Sequence, residues 1–245
     1  SVPGGAASAD LVVVNDDDLT YAISRLDERS TDVALAYVGT VDAPITRAVI
    51  WASLWNAVRD GLLDPRRFVV AVLTAVPAET EPAIRDRLLL FVAEAISSFL
   101  PGSARAEVHE QVLATTIRLA RETQDSDAWR SYTRAFIAEF GARGGEEYEA
   151  TVRDFAASDN PDISWRARRA LAARGLVDEE AIEAWRSADG SGEAARMSVE
   201  ALASLPTEEA RARAWESVFS DSLSNDHLTA TLAGLQASSW EGESG

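Results

Sequence analysis

The apolar residues recur with the period of an α-helix along nearly the whole chain. The clearest case is the segment ITRAVIWASLWNAVRDGLL, in which apolar residues stand three or four positions apart and would form one broad stripe on a helix. These residues are Ile45, Val49, Trp51, Ala52, Trp55, Val58 and Leu62. About a dozen such segments follow one another, joined by linkers of about 2–6 residues, which is typical of antiparallel helix hairpins. An all-α fold is therefore predicted.

The spacing of these segments further favours a repeat architecture. In the final third of the chain, helices are expected to begin near residues 162, 178, 193, 207 and 225, so that a hairpin recurs about every 30 residues. This predicts a right-handed superhelix of antiparallel helix hairpins of the HEAT or armadillo type, in which each pair packs against its neighbours. The one exception is the β-branched run LVVV at residues 11–14, for which a short strand is predicted.

Composition excludes several classes of function. The chain has 245 residues and a net charge of −17, which disfavours nucleic acid as a partner because a phosphate backbone needs a basic surface. No apolar run approaches the roughly 20 residues of a membrane span, and the opening SVPGGAASAD lacks the regions of a secretory signal. With no cysteine, disulfide and thiol chemistry are excluded, which is consistent with the cytoplasmic location that we predict.

The segment VHEQVL contains half of a zinc-peptidase motif. In H-E-x-x-H, two histidines four residues apart lie on one helical face and bind one zinc, while the glutamate acts as general base. Here His109 and Glu110 are followed by Leu113 at the second histidine position, and the other histidine of the chain is His227. We therefore predict no metal site, and interpret His109 and Glu110 as ordinary residues of an amphipathic helix.

Two acidic segments resemble calcium loops only in part. An EF-hand loop needs glycine at its sixth position, but the loop beginning within NDDD at residues 15–18 has Tyr21 there. In DGSGEAARMSVE, Asp189 and Glu200 occupy positions one and twelve, but Ala194 occupies position six. Neither segment is predicted to bind calcium.

The sequence predicts no catalytic residue. A serine nucleophile would stand in a turn such as G-x-S-x-G, whereas Ser103 and Ser191 stand where helix caps are expected. Acidic pairs such as those beginning at Glu146 and Glu208 start predicted helices, where carboxylates favour the helix dipole.

Aromatic and basic residues leave two interpretations open. Trp51 and Trp55 are predicted to lie in the core, with the lining of a groove as the alternative. A basic cluster in this acidic chain is predicted to form surface salt bridges, with docking of an anion or a peptide carboxylate as the alternative. Its members are Arg166, Arg168, Arg169 and Arg174.

Several strings carry a resemblance to a known family. NDDDLTYA, RLDERS, RAVIWASLWNAVRDG and the E-T-E of residues 79–81 are followed in order by ISWRARRALAARG, DEEAIEAW, PTEEARARAWESV and LSNDHLTATLAG. Each string is modest, but their order and spacing over residues 11–236 are specific. Together they resemble the C-terminal domain of bacterial aminopeptidase N, most closely that of the actinobacterial type.

The resemblance implies a division of labour within a longer polypeptide. The family consists of zinc metalloaminopeptidases of the gluzincin class, whose H-E-x-x-H and G-x-M-E-N motifs belong to the catalytic domain. Neither motif occurs here, so no catalytic, cofactor-binding or metal residue is assigned to this sequence, and zinc is expected in the parent enzyme. The chain opens with Ser1 and has Met197 as its only methionine. For these reasons we expect a fragment of a longer protein.

The implied domains and function follow the family. Residues 1–14 are expected to be the junction from a preceding β-sandwich domain, 15–236 the helical-repeat domain, and 237–245 a truncated polar tail. The domain is expected to close over the catalytic domain and to shape the chamber in which peptides lose N-terminal amino acids. Its expected partners are the catalytic and β-sandwich domains of its own chain and the peptide substrate. The alternatives are a free-standing helical-repeat scaffold that binds a protein or peptide on its concave face, and an independent hydrolase that uses carboxylates.

Overall fold

The computed structural model describes residues 9–16, 19, 23–220 and 223–237, and within these ranges it contains twelve α-helices and no strand. The helices are α1 (Glu28–Tyr37), α2 (Pro44–Arg59), α3 (Pro65–Ala75), α4 (Pro82–Glu94), α5 (Gly102–Glu122), α6 (Ser126–Arg143), α7 (Glu149–Ala156), α8 (Pro161–Ala173), α9 (Glu179–Ala188), α10 (Gly192–Ala203), α11 (Glu208–Val218) and α12 (Asn225–Ala237). Short 3₁₀ segments cover Val38–Thr40, Val76–Ala78 and Glu146–Tyr148, and a π-helical turn covers Ala95–Phe99. The all-α prediction is confirmed. None of the described helices is long and apolar enough to cross a bilayer.

The predicted N-terminal strand is wrong. Residues 11–13 have no regular secondary structure and Val14 lies in a turn. Backbone groups of this segment bond to side chains instead of to a neighbouring strand: Val12 N–H donates to Ser30 Oγ (3.2 Å), and Ser24 Oγ donates to the Val14 carbonyl (2.9 Å). Because these partners satisfy the backbone, β-branched composition alone does not produce a strand here.

Six of the described helices begin where local chemistry predicts. Side-chain oxygens of the N-cap residues accept first-turn N–H groups, which offsets the unpaired donors of a helix start. These residues are Asp27, Asp64, Asn160, Asp178, Ser191 and Thr207. In the final third, the predicted starts agree with α8 to α12 to within one residue.

At three places a helix boundary differs from the nearest capping or helix-breaking residue, and at Ser103 the predicted cap is wrong. The N-cap of α2 is Ala43, and the Asp42 carbonyl before it accepts a hydrogen bond from Arg47 Nη1 (2.9 Å). Ser103 does not cap α5, which already includes Gly102. Gly141 lies inside α6, and a Cβ at this position would lie 3.2 Å from Ala170 Cβ. The glycine therefore permits close packing against α8.

Contacts divide the chain into two compact units, and the first contains Ser1–Gln111 and Arg121–Ser131. In it, α2, α3 and α4 contact one another, and α1 contacts α2 and α3. Its buried residues include Ile50, Trp51, Leu54, Trp55, Val58, Phe68, Val72, Leu88, Val92 and Ile96. The prediction that both tryptophans lie in the core is confirmed. Ile45, Ala52 and Leu62 of the predicted apolar stripe are exposed instead, and the first two line a surface groove.

The second unit contains Val112–Ala120 and Tyr132–Gly245. In it, α7 packs on α8, and α10 contacts α8, α9, α11 and α12. The approach of α12 to α10 requires glycine at position 234, because a Cβ there would clash with the Glu200 carbonyl and lie 2.7 Å from Ala203 Cβ. Consecutive helices thus bury their stripes against one another, as the repeat pattern predicts.

Candidate functional site

The N-terminal segment presents apolar side chains to solvent. Val14 is 59% exposed and Ile23 is 72% exposed, and the hydrogen bond from Ser24 to the Val14 carbonyl holds their two backbone segments together. Val12, in the same segment, and Ile45, which lines a groove together with Asn15 and Ser24, are also exposed. We call Val12, Val14, Ile23 and Ile45 the N-terminal apolar face. These four exposed side chains form a candidate surface for contact with another protein surface.

A groove adjoins the N-terminal apolar face along α2. Its volume is about 260 Å³. Its lining residues are Asn15, Ser24, Ile45, Ala48, Val49, Ala52, Ser53 and Asn56. Asn15 has a positive φ of 64°, a conformation that asparagine tolerates better than most residues, and it turns the chain at the edge of the groove. The groove gives the face a recess for an apolar side chain of a partner.

A larger cleft of about 580 Å³ lies between the start of α1, the end of α2 and the start of α3. Two ion pairs hold its walls: Arg25 with Asp60 (2.9 Å) and Arg67 with Asp32 (2.6 Å). All four side chains are exposed, so each pair contributes at most about 1 kcal/mol. The cleft can accept polar groups, but its arginines are already engaged by carboxylates.

A buried ion pair joins the start of α2 to the loop before α4. Arg47 Nη2 lies 2.6 Å from Glu79 Oε1, and Arg47 Nε donates to Glu79 Oε2 (2.9 Å). Arg47 Nη1 donates to the carbonyls of Val41 and Asp42. Arg47 and Glu79 are only 6% and 8% exposed. This bidentate geometry is the form in which an arginine–carboxylate pair is strongest.

The ion pair also shifts the pKa values of Arg47 and Glu79. The hydrogen bond to Glu79 raises the pKa of Arg47. Burial by itself would raise the pKa of Glu79, but hydrogen bonds from Arg47 and from the Glu81 N–H outweigh burial, so that the pKa lies below its ordinary value. The two residues fall in two of the strings that carried the resemblance. Sequence reasoning missed the link; the available signal was Arg47, a charged residue inside an otherwise apolar stretch.

In the second unit, Arg168 lies over two tryptophan rings. Its Cζ is 4.8 Å from the ring centroid of Trp165 and 5.3 Å from that of Trp185, distances at which a cation is attracted to an aromatic face. Arg168 Nε donates to the Ala156 carbonyl (3.2 Å), and Trp165 Nε1 donates to Asp189 Oδ2 (3.0 Å). Burial lowers the pKa of Arg168.

The structure separates the members of the predicted basic cluster. Arg166 pairs with Asp162 (2.8 Å), which also pairs with Arg134, and Arg169 pairs with Glu200 (3.3 Å). The salt-bridge interpretation is confirmed for Arg166 and Arg169. It is wrong for Arg168, whose neighbours are the tryptophan rings, and for Arg174, which forms no ion pair within the described part of the chain.

The half zinc motif lies on α5. His109 is half-buried, Glu110 is exposed, and Leu113 is buried at the position where a second histidine would stand. Over the residues that the structure describes, no three His, Asp or Glu side chains lie close enough to hold a metal ion. His109 and Glu110 without a second histidine do not form the ligand set of the zinc that the resemblance implies for the parent enzyme. No chemistry is assigned to His109.

The end carboxylates of the second acidic segment have other partners. Asp17, Asp18 and Tyr21, from the first of them, lie outside the described residues. In the second, Asp189 accepts the Trp165 Nε1 hydrogen bond and Glu200 pairs with an arginine. These carboxylates serve helix packing.

Comparison with known proteins agrees with the helical architecture. The chain is 32% identical over 242 residues to aminopeptidase N of Streptomyces lividans, an alignment that covers 94% of this chain and 28% of that protein. The chain thus spans less than a third of the length of this curated relative. Residues 11–244 match the family described as the ERAP1-like C-terminal domain. The resemblance to an aminopeptidase N C-terminal region is confirmed, and the chain belongs to the ERAP1-like C-terminal domain family.

Proposed function

We propose that this chain is the non-catalytic C-terminal domain of a zinc-dependent aminopeptidase that removes N-terminal amino acids from peptides. In this proposal the domain closes over the catalytic domain and shapes the peptide chamber. The observation that carries the proposal is the alignment of 94% of this chain with 28% of an aminopeptidase N. For the parent protein we propose a bound zinc, catalytic residues outside this chain and a cytoplasmic location.

The N-terminal apolar face supports a docking role. Val12 and Val14 lie in the predicted junction, and Ile23 and Ile45 lie beside it. Because the relative is more than three times as long as this chain, we assign the preceding domains of the same polypeptide as the partner that covers this face. Interfaces between domains of one chain commonly bury about 600–1,500 Å², and burial of exposed valine and isoleucine would stabilise such an interface.

Closure would act on the substrate, and zinc chemistry is assigned elsewhere in the polypeptide. An enclosing domain excludes bulk water and orients a peptide through contacts remote from the reacting bond. The net charge of −17 would bias which peptides enter, since the potential inside a cleft is focused by its low-dielectric walls.

The docking role predicts the effect of charging the apolar face. In the full-length polypeptide, the double substitution Val14→Asp and Ile23→Asp should lower kcat/KM for peptides by roughly tenfold, because misplaced closure loses orientation of the substrate. Zinc content should be unchanged. The control is Leu90→Asp on α4, at a residue that is 62% exposed and outside the face, and it should leave turnover near wild type.

Removal of the domain tests the same role at larger scale. Deleting residues 15–245 should leave zinc bound yet lower peptide turnover, with a larger loss for long peptides than for short ones. Adding the chain in trans should restore activity only weakly, because a covalent link supplies a high effective concentration. If the truncated enzyme is soluble and zinc-loaded and processes peptides of every length at the full rate, the domain has no part in substrate handling.

A separate prediction concerns the chain by itself. Purified without chelator, it should retain far less than one zinc per chain by elemental analysis and should cleave no aminoacyl substrate, because Leu113 replaces the second histidine of the motif. His109→Ala should change neither result. Stoichiometric zinc, or an amidase activity that is lost in His109→Ala, would contradict this prediction.

A further inference from the structure

Helix α11 carries its largest apolar side chains on the side that faces solvent. Trp215 is 57% exposed, and Phe219, the C-cap residue of the helix, is 73% exposed. On the opposite side Ala210 and Ala214 are buried, and Ala210 belongs to a core cluster with residues of α8, α9 and α10. α11 thus packs against its neighbours mainly through small residues, and its two aromatic side chains lie outside this core.

The two aromatic rings support each other in one arrangement. Their centroids are 5.3 Å apart and their planes make an angle of 70°, an edge-to-face contact that aromatic rings favour. The Phe219 N–H donates to the Glu216 carbonyl (3.2 Å), which fixes the backbone at the end of the helix. Large aromatic side chains on a rigid element lose little conformational freedom on binding, and tryptophan is enriched among the residues that dominate binding energy.

The exposed stripe that contains this pair runs along the whole of α11. Residues at positions i, i+4, i+7 and i+11 of a helix lie on one face, and all four such residues are exposed here. We call them the α11 outer face: Glu208, Ala212, Trp215 and Phe219. The face is about 16 Å long, which corresponds to about three turns of a partner helix.

The charge around the α11 outer face is negative. Three exposed carboxylates form no ion pair within the part of the chain that the structure describes, namely those of Glu208, Glu209 and Glu216. Of the arginines of this helix, Arg213 is engaged by Glu179 (2.5 Å) and Arg211 is half-buried. A cation is attracted both to an indole face such as that of Trp215 and to unpaired carboxylates. Basic residues around an apolar one would therefore complement this surface.

Charge also separates the candidate occupants. A second copy of the chain has the same net charge of −17, and residues 238–245, which follow α12, include two glutamates and no basic residue. Either would bring negative charge against negative charge, which is unfavourable at an interface.

We propose that the α11 outer face binds a basic amphipathic helix of a partner protein. An apolar side chain of that helix packs against Trp215 and Phe219, and its lysine or arginine side chains lie beside the flanking carboxylates. This surface lies in the second unit and goes beyond the docking role proposed for the N-terminal apolar face.

The test measures binding of a labelled peptide to the 245-residue chain by fluorescence anisotropy at physiological ionic strength. The probe is an acetylated peptide amide of about 14 residues, long enough to cover the face, built from leucine and lysine with a leucine at every third or fourth position. It should bind saturably. A scrambled peptide of the same composition should bind at least tenfold more weakly, because it lacks the apolar stripe. The peptide with glutamate in place of lysine should not bind.

Substitutions locate the binding surface. Trp215→Ala with Phe219→Ala should weaken binding of the leucine–lysine peptide at least tenfold. Glu208→Gln with Glu216→Gln should weaken it several-fold and reduce its dependence on salt. The matched control is Tyr37→Ala, because Tyr37 is a 61% exposed aromatic residue at the end of a helix in the first unit, and it should bind as the wild type does. Circular dichroism checks folding; if the double aromatic variant does not fold, Trp215→Ala alone and the glutamine variant decide.

Unchanged affinity in the aromatic variant, or equal binding of the ordered and the scrambled peptide, would overturn the proposal. Three further results would overturn it by assigning the face to another occupant. A wild-type dimer in analytical ultracentrifugation that Trp215→Ala converts to monomer would assign it to a second copy. Stronger peptide binding after deletion of residues 238–245 would assign it to that segment, and loss of peptide binding in the full-length polypeptide would assign it to the preceding domains. None of these results alters the tests of the N-terminal apolar face.

Discussion

Replacing Trp55 by alanine is expected to lower the free energy of unfolding by about 3–5 kcal/mol, the usual cost of removing a large aromatic side chain from a core. Trp55 is 5% exposed and stacks on Phe91 with ring centroids 4.5 Å apart. Phe68 and Phe99 contact the same indole at 5.5 Å and 5.7 Å. Alanine would leave a cavity among three rings, and urea denaturation followed by circular dichroism measures the loss.

The control for this substitution is Trp215→Ala on α11. Trp215 is 57% exposed, so its removal should cost less than about 1 kcal/mol. If Trp55→Ala were equally mild, the indole would face solvent or a groove and would not belong to the core of the first unit.

The second large effect is expected at the buried ion pair. Arg47→Met should destabilise the chain by about 3–5 kcal/mol, because it leaves the carboxylate of Glu79 buried without its partner. Glu79→Gln should also destabilise, since the guanidinium of Arg47 then loses its counter-charge. Both are measured by urea denaturation at neutral pH.

A double substitution separates the pair from its surroundings. Arg47→Met with Glu79→Leu removes both charges together, and its cost should be clearly less than the sum of the single costs. Strictly additive effects would mean that the two side chains do not depend on each other, in conflict with their bidentate contact.

The same pair predicts a dependence on pH. The pKa of Glu79 is lowered in the folded state, so its contribution to stability is fully present above the unfolded value of about 4.3. That contribution is lost as the pH falls through the lower, folded pKa. The difference in stability between wild type and Glu79→Gln should therefore shrink as the pH falls below about 4. Glu183→Gln, at an exposed pair, should show a much smaller difference across the range.

The sequence by itself determined the all-α class, the starts of the last five helices and the family. Helical periodicity and capping residues act within a few positions of each other, so Asp178, Ser191 and Thr207 mark the starts of α9, α10 and α11 without any knowledge of the fold. The basic cluster of α8 was also visible as a candidate site, because its arginines stand close together in a very acidic chain.

Tertiary structure decided which of these residues meet distant partners. Arg47 and Glu79 are 32 positions apart. Hydrophobic periodicity does not indicate which charged residues are buried, or which two of them form a pair. Glycine often ends a helix, but Gly141 lies inside α6, where its missing side chain permits the close approach of Ala170. The LVVV run reads as a strand, but a strand needs a neighbouring backbone, and side chains of Ser24 and Ser30 bond to that segment instead.

The same difference between local sequence and helix packing applies to the candidate sites. The sequence supplied the arginines of α8, but only the packing of α9 beside α8 distinguished Arg168, which lies over Trp165 and Trp185, from Arg166 and Arg169, which pair with carboxylates. Local sequence determines helices because their hydrogen bonds join residues four apart. Side-chain partners from distant positions are determined by how the helices pack. The N-terminal apolar face and the contacts of Arg168 with two tryptophan rings therefore required the three-dimensional structure.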